Sequence, residues 1–289
     1  MSGVAGPVIP RRERLRATGR APPRPDAYGE RWGGEPVARA REKGGPAVAL
    51  AAVVFYPLTW LLAKRRMEGL ERVPAQGPAL LVCNHVSYLD PVYTAVFVHR
   101  ARRVPRFLAK ASLWDVPVLG RVMRGSRQIP VSRGSADAGA SLEAARTAFA
   151  DDGVVVIYPE GTITRDAEGW PMAARSGAAR LALERHGVPV VPVVHWGTLS
   201  VYDHYRRRFR PSWRTTITVR AGAPIPMDDL RERVARAEPG RERMAEVAAL
   251  REATDRMMTA VRGLLGEVRG EPVPEPTRPS PRGSRDTEK

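Results

Sequence analysis

Three runs of this chain are apolar almost without interruption: residues 78–83 (PALLVC), 154–158 (VVVIY) and 188–195 (VPVVPVVH). A strand with one wet face alternates apolar and polar side chains, whereas a strand lacking that alternation is covered on both faces. Between the runs lie segments that read as helices: 91–98, 141–150 closed by Asp152-Gly153, and 177–185 stopped by Gly187. Buried strands separated by helices predict an α/β fold, a largely parallel or mixed sheet covered by helices. Residues 215–220 (TTITVR) read as an edge strand. In such a sheet a functional site belongs in the loops leaving the strand ends.

Ahead of this pattern, residues 47–63 (AVALAAVVFYPLTWLLA) are nearly all apolar. Arg39, Arg41 and Lys43 precede the run, and Lys64, Arg65 and Arg66 follow it. It is slightly short of the ~20 apolar residues that span a bilayer, and it contains Pro57. An N-terminal membrane-associating helix lying in one leaflet fits these features; a buried core helix is the other reading. Tyr56 and Trp60 near its end suit a membrane interface. The chain divides into a basic, Pro-, Gly- and Arg-rich arm expected to be disordered (1–45), the apolar helix (46–66), the α/β domain (67–269) and a Pro-rich charged tail (270–289). Late in the domain, Val247, Leu250, Thr254, Met257, Val261, Leu264 and Val268 recur at helical spacing and predict one amphipathic helix.

Lys and Arg total 47 against 31 Asp and Glu, a net charge of +16. That excess points to anionic partners: a membrane surface, phosphate-bearing substrates or nucleic acid. Arg100, Arg102, Arg103 and Arg106 are candidates for a basic membrane-facing patch. One cysteine excludes a disulfide framework and a Cys-rich zinc module. No lysine is followed by Ser or Thr, so a Walker loop is absent, and no Gly-x-Gly-x-x-Gly stands between strand and helix. No Gly-x-Ser-x-Gly elbow supports a serine hydrolase, and no helix-turn-helix or zinc-finger signature supports nucleic-acid binding.

The chemistry concentrates at two strand ends. Asn84-His85-Val86-Ser87-Tyr88-Leu89-Asp90 follows the first run directly. A turn there brings the Asp90 carboxylate onto the His85 imidazole, fixing its tautomer and leaving the other ring nitrogen to take a proton; a purely structural His-Asp pair is the alternative. Ser87 reads as a cap for the following helix. Tyr158-Pro159-Glu160-Gly161-Thr162 ends the second run, where glycine allows close backbone approach to a ligand. Cys83 reads as a small buried residue. His99, His186, His195 and His204 lack metal-ligand spacing and read as structural or surface residues.

Together with Ile129-Pro130-Val131 leading to Arg133, and with the fourth stretch 188–193, these blocks resemble the glycerolipid acyltransferase family, which includes the 1-acylglycerol-3-phosphate acyltransferases. NHVSYLD matches the family's Asn-His-x4-Asp block, IPVSR its second, YPEGT its Phe-Pro-Glu-Gly-Thr block with Tyr for Phe, and VPVVPV its fourth. Lys110-Ala111-Ser112-Leu113 is similar to another recurring family element. The resemblance covers roughly residues 67–225.

It implies a membrane-associated O-acyltransferase at the cytoplasmic face of the cell membrane. His85 acts as general base, Asp90 orients it, and an acceptor hydroxyl attacks the thioester of acyl-CoA or acyl-carrier protein without a covalent acyl-enzyme. Asn84, Arg133, Glu160, Gly161 and Thr162 are implied substrate-binding residues, Arg133 through a phosphate. No metal, no further cofactor and no nucleic acid is expected; an anionic membrane surface and a lysophospholipid are the expected partners. The acceptor implied first is 1-acyl-sn-glycerol 3-phosphate, with another lipid or glycolipid as the alternative. One departure bears on that choice. The family's third block continues to an arginine assigned to the acceptor phosphate, and here Ile163 stands in its place. In an extended loop Arg165, two residues on, faces the same way as Ile163 and is the candidate replacement; Arg175 adds positive charge nearby.

Overall fold

The computed structural model of the protein describes residues 42–131 and 137–274. Arg133, residues 1–41 of the arm expected over 1–45 and residues 275–289 of the tail expected over 270–289 lie outside the described residues. In chain order the structure runs α1 (Gly45–Leu62), β1 (Ala63–Glu68), β2 (Ala79–Cys83), α2 (Asp90–Arg100) and β3 (Pro105–Lys110). It continues with α3 (Pro117–Gly125), β4 (Ile129–Val131), α4 (Asp137–Ala150), β5 (Val154–Ile157) and α5 (Gly177–Glu184). Then come β6 (Val190–Trp196), α6 (Thr198–Val201), a small β7 (Tyr202–Asp203) and β8 (Arg208–Phe209) pair, β9 (Ser212–Ala221), α7 (Asp228–Ala235) and α8 (Glu242–Arg269).

Among the described residues seven strands form one sheet in the order β1-β9-β6-β2-β5-β3-β4. Every neighbouring pair is parallel except β6 with β9. The expected mixed, mostly parallel α/β sheet is therefore present. The three unbroken apolar runs are its centre: Leu81 of β2 lies opposite Val156 of β5 and Val191 of β6.

Alternate side chains of these strands enter two separate cores. Leu80, Val82, Val155 and Val194 pack under α4, α5 and α8, while Leu81, Cys83, Val156 and Val193 pack with Tyr93 and Phe97 of α2. Each such fully buried aliphatic side chain contributes roughly 1.5–3 kcal/mol, so replacing one of them with a polar residue that finds no partner is costly.

Three expectations change. The strand containing residues 215–220 is not an edge: β9 lies between β1 and β6. The edge on that side is β1, whose sequence AKRRME has no apolar alternation, because charged residues are what keeps an exposed strand edge from pairing further. Lys64, Arg65 and Arg66 belong to that strand. The stripe of α8 is also displaced. Val247 is exposed, and Ala249 and Ala253 are buried in line with Met257, Val261 and Leu264; small alanines let the helix approach its neighbours closely.

The third change concerns the basic patch. Arg103 is buried and donates to the carbonyl oxygens of Pro74, Gly77 and Asp152. Arg106 is buried beside Asp151. Both fasten loops within the domain and do not face a membrane.

Candidate active site

β2 lies between β6 and β5, so the loops after these three parallel strands meet at one end of the sheet. His85 leaves β2, Tyr158 and Glu160 leave β5, and Thr198 follows Gly197 at the end of β6. Gly197 has φ 93°, and a Cβ there would stand 2.4 Å from the Thr216 carbonyl oxygen, so only glycine fits this turn.

The chain between β2 and α2 turns back on Asp90, the first residue of α2. Asp90 Oδ2 accepts from His85 Nδ1 at 3.0 Å, from Val86 N–H at 2.6 Å and from Ser87 N–H at 2.8 Å. Its Oδ1 accepts from the Thr198 hydroxyl at 2.6 Å. Burial alone would raise the Asp90 carboxyl, but the His85 bond and charge and the Thr198 bond outweigh it and leave it below the usual carboxylate range. Asp90 is thus an anion at neutral pH.

An anionic acceptor at Nδ1 fixes the His85 tautomer with its proton there and leaves Nε2 as a base. The His85 side chain is 13% exposed and that of Asp90 0%, so the pair presents imidazole outward and hides carboxylate. Ser87 is not a side-chain cap of α2: its hydroxyl donates to the Tyr202 carbonyl oxygen at 2.8 Å.

Behind His85 lies a buried polar cluster. The Tyr158 ring stacks on the imidazole with centroids 4.4 Å apart. The Thr94 hydroxyl donates to the Asp90 carbonyl oxygen at 2.9 Å. Its lone pairs are then left to accept from Tyr158 O–H at 3.1 Å and His195 Nε2–H at 2.7 Å. His195 is fully buried, and burial lowers its pKa against the pull of Asp90, so it is neutral. Its Nδ1 has no hydrogen-bond partner among the described residues. Asn84, expected to touch substrate, is buried; its amide donates to the His195 carbonyl oxygen at 3.1 Å and accepts from His195 N–H at 2.8 Å. It staples the ends of β2 and β6.

Glu160 is likewise buried. Oε1 accepts from His85 N–H at 3.2 Å and Oε2 from Met172 N–H at 2.9 Å, while Thr164 N–H donates to the His85 carbonyl oxygen at 2.8 Å. The 160–172 loop therefore clasps the His85 backbone from both sides. Gly161 turns this loop at φ 69°, with the Arg175 guanidinium against it. Thr162 is half-buried. Ile163 is buried and Arg165 exposed, so the two side chains do not share one face as an extended loop would require.

Burial pushes the Glu160 carboxyl up to about 7, against the Met172 and His85 N–H donors that hold it down. Unfolded, a glutamate titrates near ~4.3. Between these values the unfolded chain releases a proton that the folded chain keeps, so stability falls as pH rises through this window, by on the order of 3 kcal/mol, and is flat above it. In Glu160→Gln that fall is expected to disappear. Denaturant midpoints at pH 5 and pH 8 measure it; an unchanged difference in the variant places its source elsewhere.

Thr94, Thr198 and Tyr158 were not among the expected functional residues. Thr198 carried one readable signal, its place just after a glycine at a strand end; Thr94 carried none. Among the described residues no group of three His, Cys, Asp or Glu side chains is set to hold a metal ion.

Residues 64–196 match the acyltransferase family model, and that match spans every residue of the site except Thr198. These residues are an acyltransferase domain. A Caenorhabditis elegans protein named as a 1-acyl-sn-glycerol-3-phosphate acyltransferase, acl-2, is 27% identical over 183 residues, 62% of this chain and 63% of that one. The lysophospholipid acyltransferase LPEAT1 of Arabidopsis thaliana is 30% identical over 147 residues, 45% of this chain and 34% of that one. This chain thus spans less than two thirds of the length of either relative. The crystal structure of the 1-acyl-sn-glycerophosphate acyltransferase PlsC from Thermotoga maritima shares the fold, with TM-score 0.50 and 21% identity over 72% of this chain and 77% of that one. The likeness to acyltransferases lies in residues 64–196, the part of the chain that the family model matches.

Proposed function

We propose that this protein is a membrane-associated O-acyltransferase that moves a fatty acyl group from an acyl thioester, acyl-CoA or acyl-carrier protein, to a hydroxyl of a lysophospholipid. The observation that carries the reading is the 3.0 Å bond from His85 Nδ1 to a buried, anionic Asp90, with the other imidazole nitrogen left as a base. His85 Nε2 takes the proton of the acceptor hydroxyl as its oxygen attacks the thioester carbonyl. Asp90 stabilises the imidazolium that forms. The tetrahedral intermediate collapses, the C–S bond breaks, and the leaving thiolate takes the proton from Nε2. The products are an ester and a free thiol. Glu160 holds the His85 backbone, and Gly161, Thr162, Arg165 and Arg133 are the acceptor-binding candidates. The relatives named above act on lysophospholipids by name, which supports that acceptor class.

The acceptor to test first is 1-acyl-sn-glycerol 3-phosphate, and the reaction belongs at the cytoplasmic face of the cell membrane. Ile163, buried where the family carries an arginine, offers no charge to a phosphate. The test is an acceptor panel under one acyl-CoA, with free thiol measured and products identified by mass spectrometry. Turnover of lysophosphatidate well above that of acceptors lacking a terminal phosphate supports the first choice. The reverse order moves the acceptor to the other lipids and glycolipids, and no thiol release with any acceptor removes the reading.

A further inference from the structure

Helix α8 contributes no residue to the His85–Asp90 site, yet two of its arginines end on the 160–172 loop. Arg262 and Arg269 stand about two helical turns apart and so share one face. Arg262 donates to the Pro171 carbonyl oxygen from Nε at 3.1 Å and from Nη2 at 2.6 Å. Arg269 donates from Nη1 to the Glu168 carbonyl oxygen at 2.9 Å, and its Nη2 pairs with Glu271 at 2.5 Å. Its guanidinium carbon lies 4.2 Å from the ring centre of Trp170 and 4.3 Å from that of Trp196. One flat cation thus joins an indole of the loop to an indole at the end of β6.

The Arg269 side chain is 5% exposed, and its Nε has no hydrogen-bond partner among the described residues. The helix dipole favours a cation in the last turn without burying it. Burial with one donor unmet is unfavourable, so the ring contacts and the Glu168 bond are what hold the side chain there. A lysine has no planar group to lie against two indoles.

The grip passes through the loop toward His85. Pro171 stands between Trp170, whose carbonyl oxygen accepts from the Thr164 hydroxyl at 2.7 Å, and Met172, whose N–H is held by Glu160. Thr164 and Glu160 are the two residues of the loop that bond the His85 backbone. Gly161 and Thr162, candidates for binding the acceptor, lie between these anchors, and Arg165 follows them. The imidazole itself is held separately, by Asp90 and the stack on Tyr158.

We propose that Arg262 and Arg269 are positioning residues for the acceptor. Through the Pro171 carbonyl and the Trp170–Arg269–Trp196 stack, α8 holds the 160–172 loop in the shape that binds it. The inference rests on the acceptor reading above and adds a control point outside the site. Loss of either arginine loosens the loop while the His85–Asp90 pair stays in place, so it weakens acceptor binding and spares the donor.

Three single variants of the full chain separate this role from helix stability. Arg262→Gln and Arg269→Lys each remove one grip, the second at unchanged charge. Arg256→Gln, on the same helix, breaks bonds to Pro226, Asp229 and Glu252, none of them in the loop. Thiol release is measured with acyl-CoA and lysophosphatidate, or the acceptor of the panel that the wild-type chain turns over fastest, varying each substrate in turn. Arg262→Gln and Arg269→Lys are expected to raise the acceptor KM about tenfold, within the ~10²-fold that a misplacement of about 1 Å can cost. The acyl-CoA KM is expected to keep its wild-type value. Amide deuterium exchange over 160–172 is expected to quicken in both variants. In Arg256→Gln the melting temperature falls while both KM values and the loop's exchange stay at wild type.

Wild-type acceptor KM, or wild-type exchange over 160–172, in both loop-gripping variants overturns the inference even where their melting temperature falls, because the clamp then serves the fold alone. A parallel rise of both KM values, or the same rise in Arg256→Gln, overturns it as well, since the whole domain has then loosened. If Arg269→Lys is not recovered folded, Arg262→Gln, at a half-buried position, decides alone. No thiol release by the wild-type chain with any acceptor removes the acceptor reading itself, and this inference with it.

Discussion

His85→Ala is expected to slow thiol release at least about 10³-fold, the scale on which a positioned general base contributes, with little change in unfolding temperature. The asymmetry follows from how the pair is held. Without the imidazole, the buried Asp90 carboxylate still accepts from Val86 N–H, Ser87 N–H and the Thr198 hydroxyl, so no charge is left bare. The losses are one hydrogen bond and the stack on Tyr158, about 1–2 kcal/mol together. Steady-state kinetics on one acyl-CoA and one acceptor measures the rate, and calorimetry the fold. A folded variant with wild-type turnover would show that another group takes the proton.

Asp90 behaves in the opposite way, and its two substitutions separate charge from architecture. In Asp90→Ala four donors around one buried point lose their acceptor: His85 Nδ1–H, two backbone N–H groups and the Thr198 hydroxyl. Unsatisfied buried donors cost roughly 1–3 kcal/mol each, so the variant is expected to lose several kcal/mol and to be recovered poorly. Asp90→Asn keeps the shape. Its oxygen serves the three donors at Oδ2, and its amide faces Thr198, whose hydroxyl turns to accept. The fold is expected to remain within about 2 kcal/mol of wild type while turnover drops on the order of 10²-fold, because a neutral amide no longer stabilises the imidazolium. Equal rates in Asp90→Asn and wild type would show that Asp90 is a structural brace alone.

The sign of the pH dependence agrees with this division. The folded Asp90 carboxyl lies below its unfolded value near ~3.9. Its contribution is therefore complete above that value and is lost only as pH falls through the lower, folded one. The slope expected between about pH 4.3 and 7 belongs to Glu160. Acid unfolding below pH 4 and the gentler loss toward neutrality are thus assigned to different carboxylates, and Asp90→Asn is expected to alter only the first.

The further consequence of the site's construction is that its parts come from elements far apart in the chain. Thr198 meets Asp90 across 108 positions and His195 meets Thr94 across 101. Nothing local marks Thr94, an ordinary polar residue inside a helix. It matters because β6, once paired beside β2, delivers His195 to it, and because β5 delivers Tyr158. Glu160 was legible as part of a motif, but its place under the His85 backbone depends on β5 and β2 pairing in register, Val82 opposite Ile157. The edge strand was illegible for a related reason: AKRRME acquires its meaning only from Ser212–Ala221 alongside it.

What the linear order settled was everything governed by short range. Unbroken apolar runs required strands covered on both faces, the five-residue separation of His85 and Asp90 allowed a turn to join them, and glycine at 161 permitted the loop to reverse. What folding alone decided was adjacency: which strand lies inside and which at the rim, which hydroxyls surround the carboxylate, and which arginines are locked inside loops. Local preferences act within a turn or a few residues. Pairing and burial act between segments that only the collapse of the whole domain brings within a few ångströms.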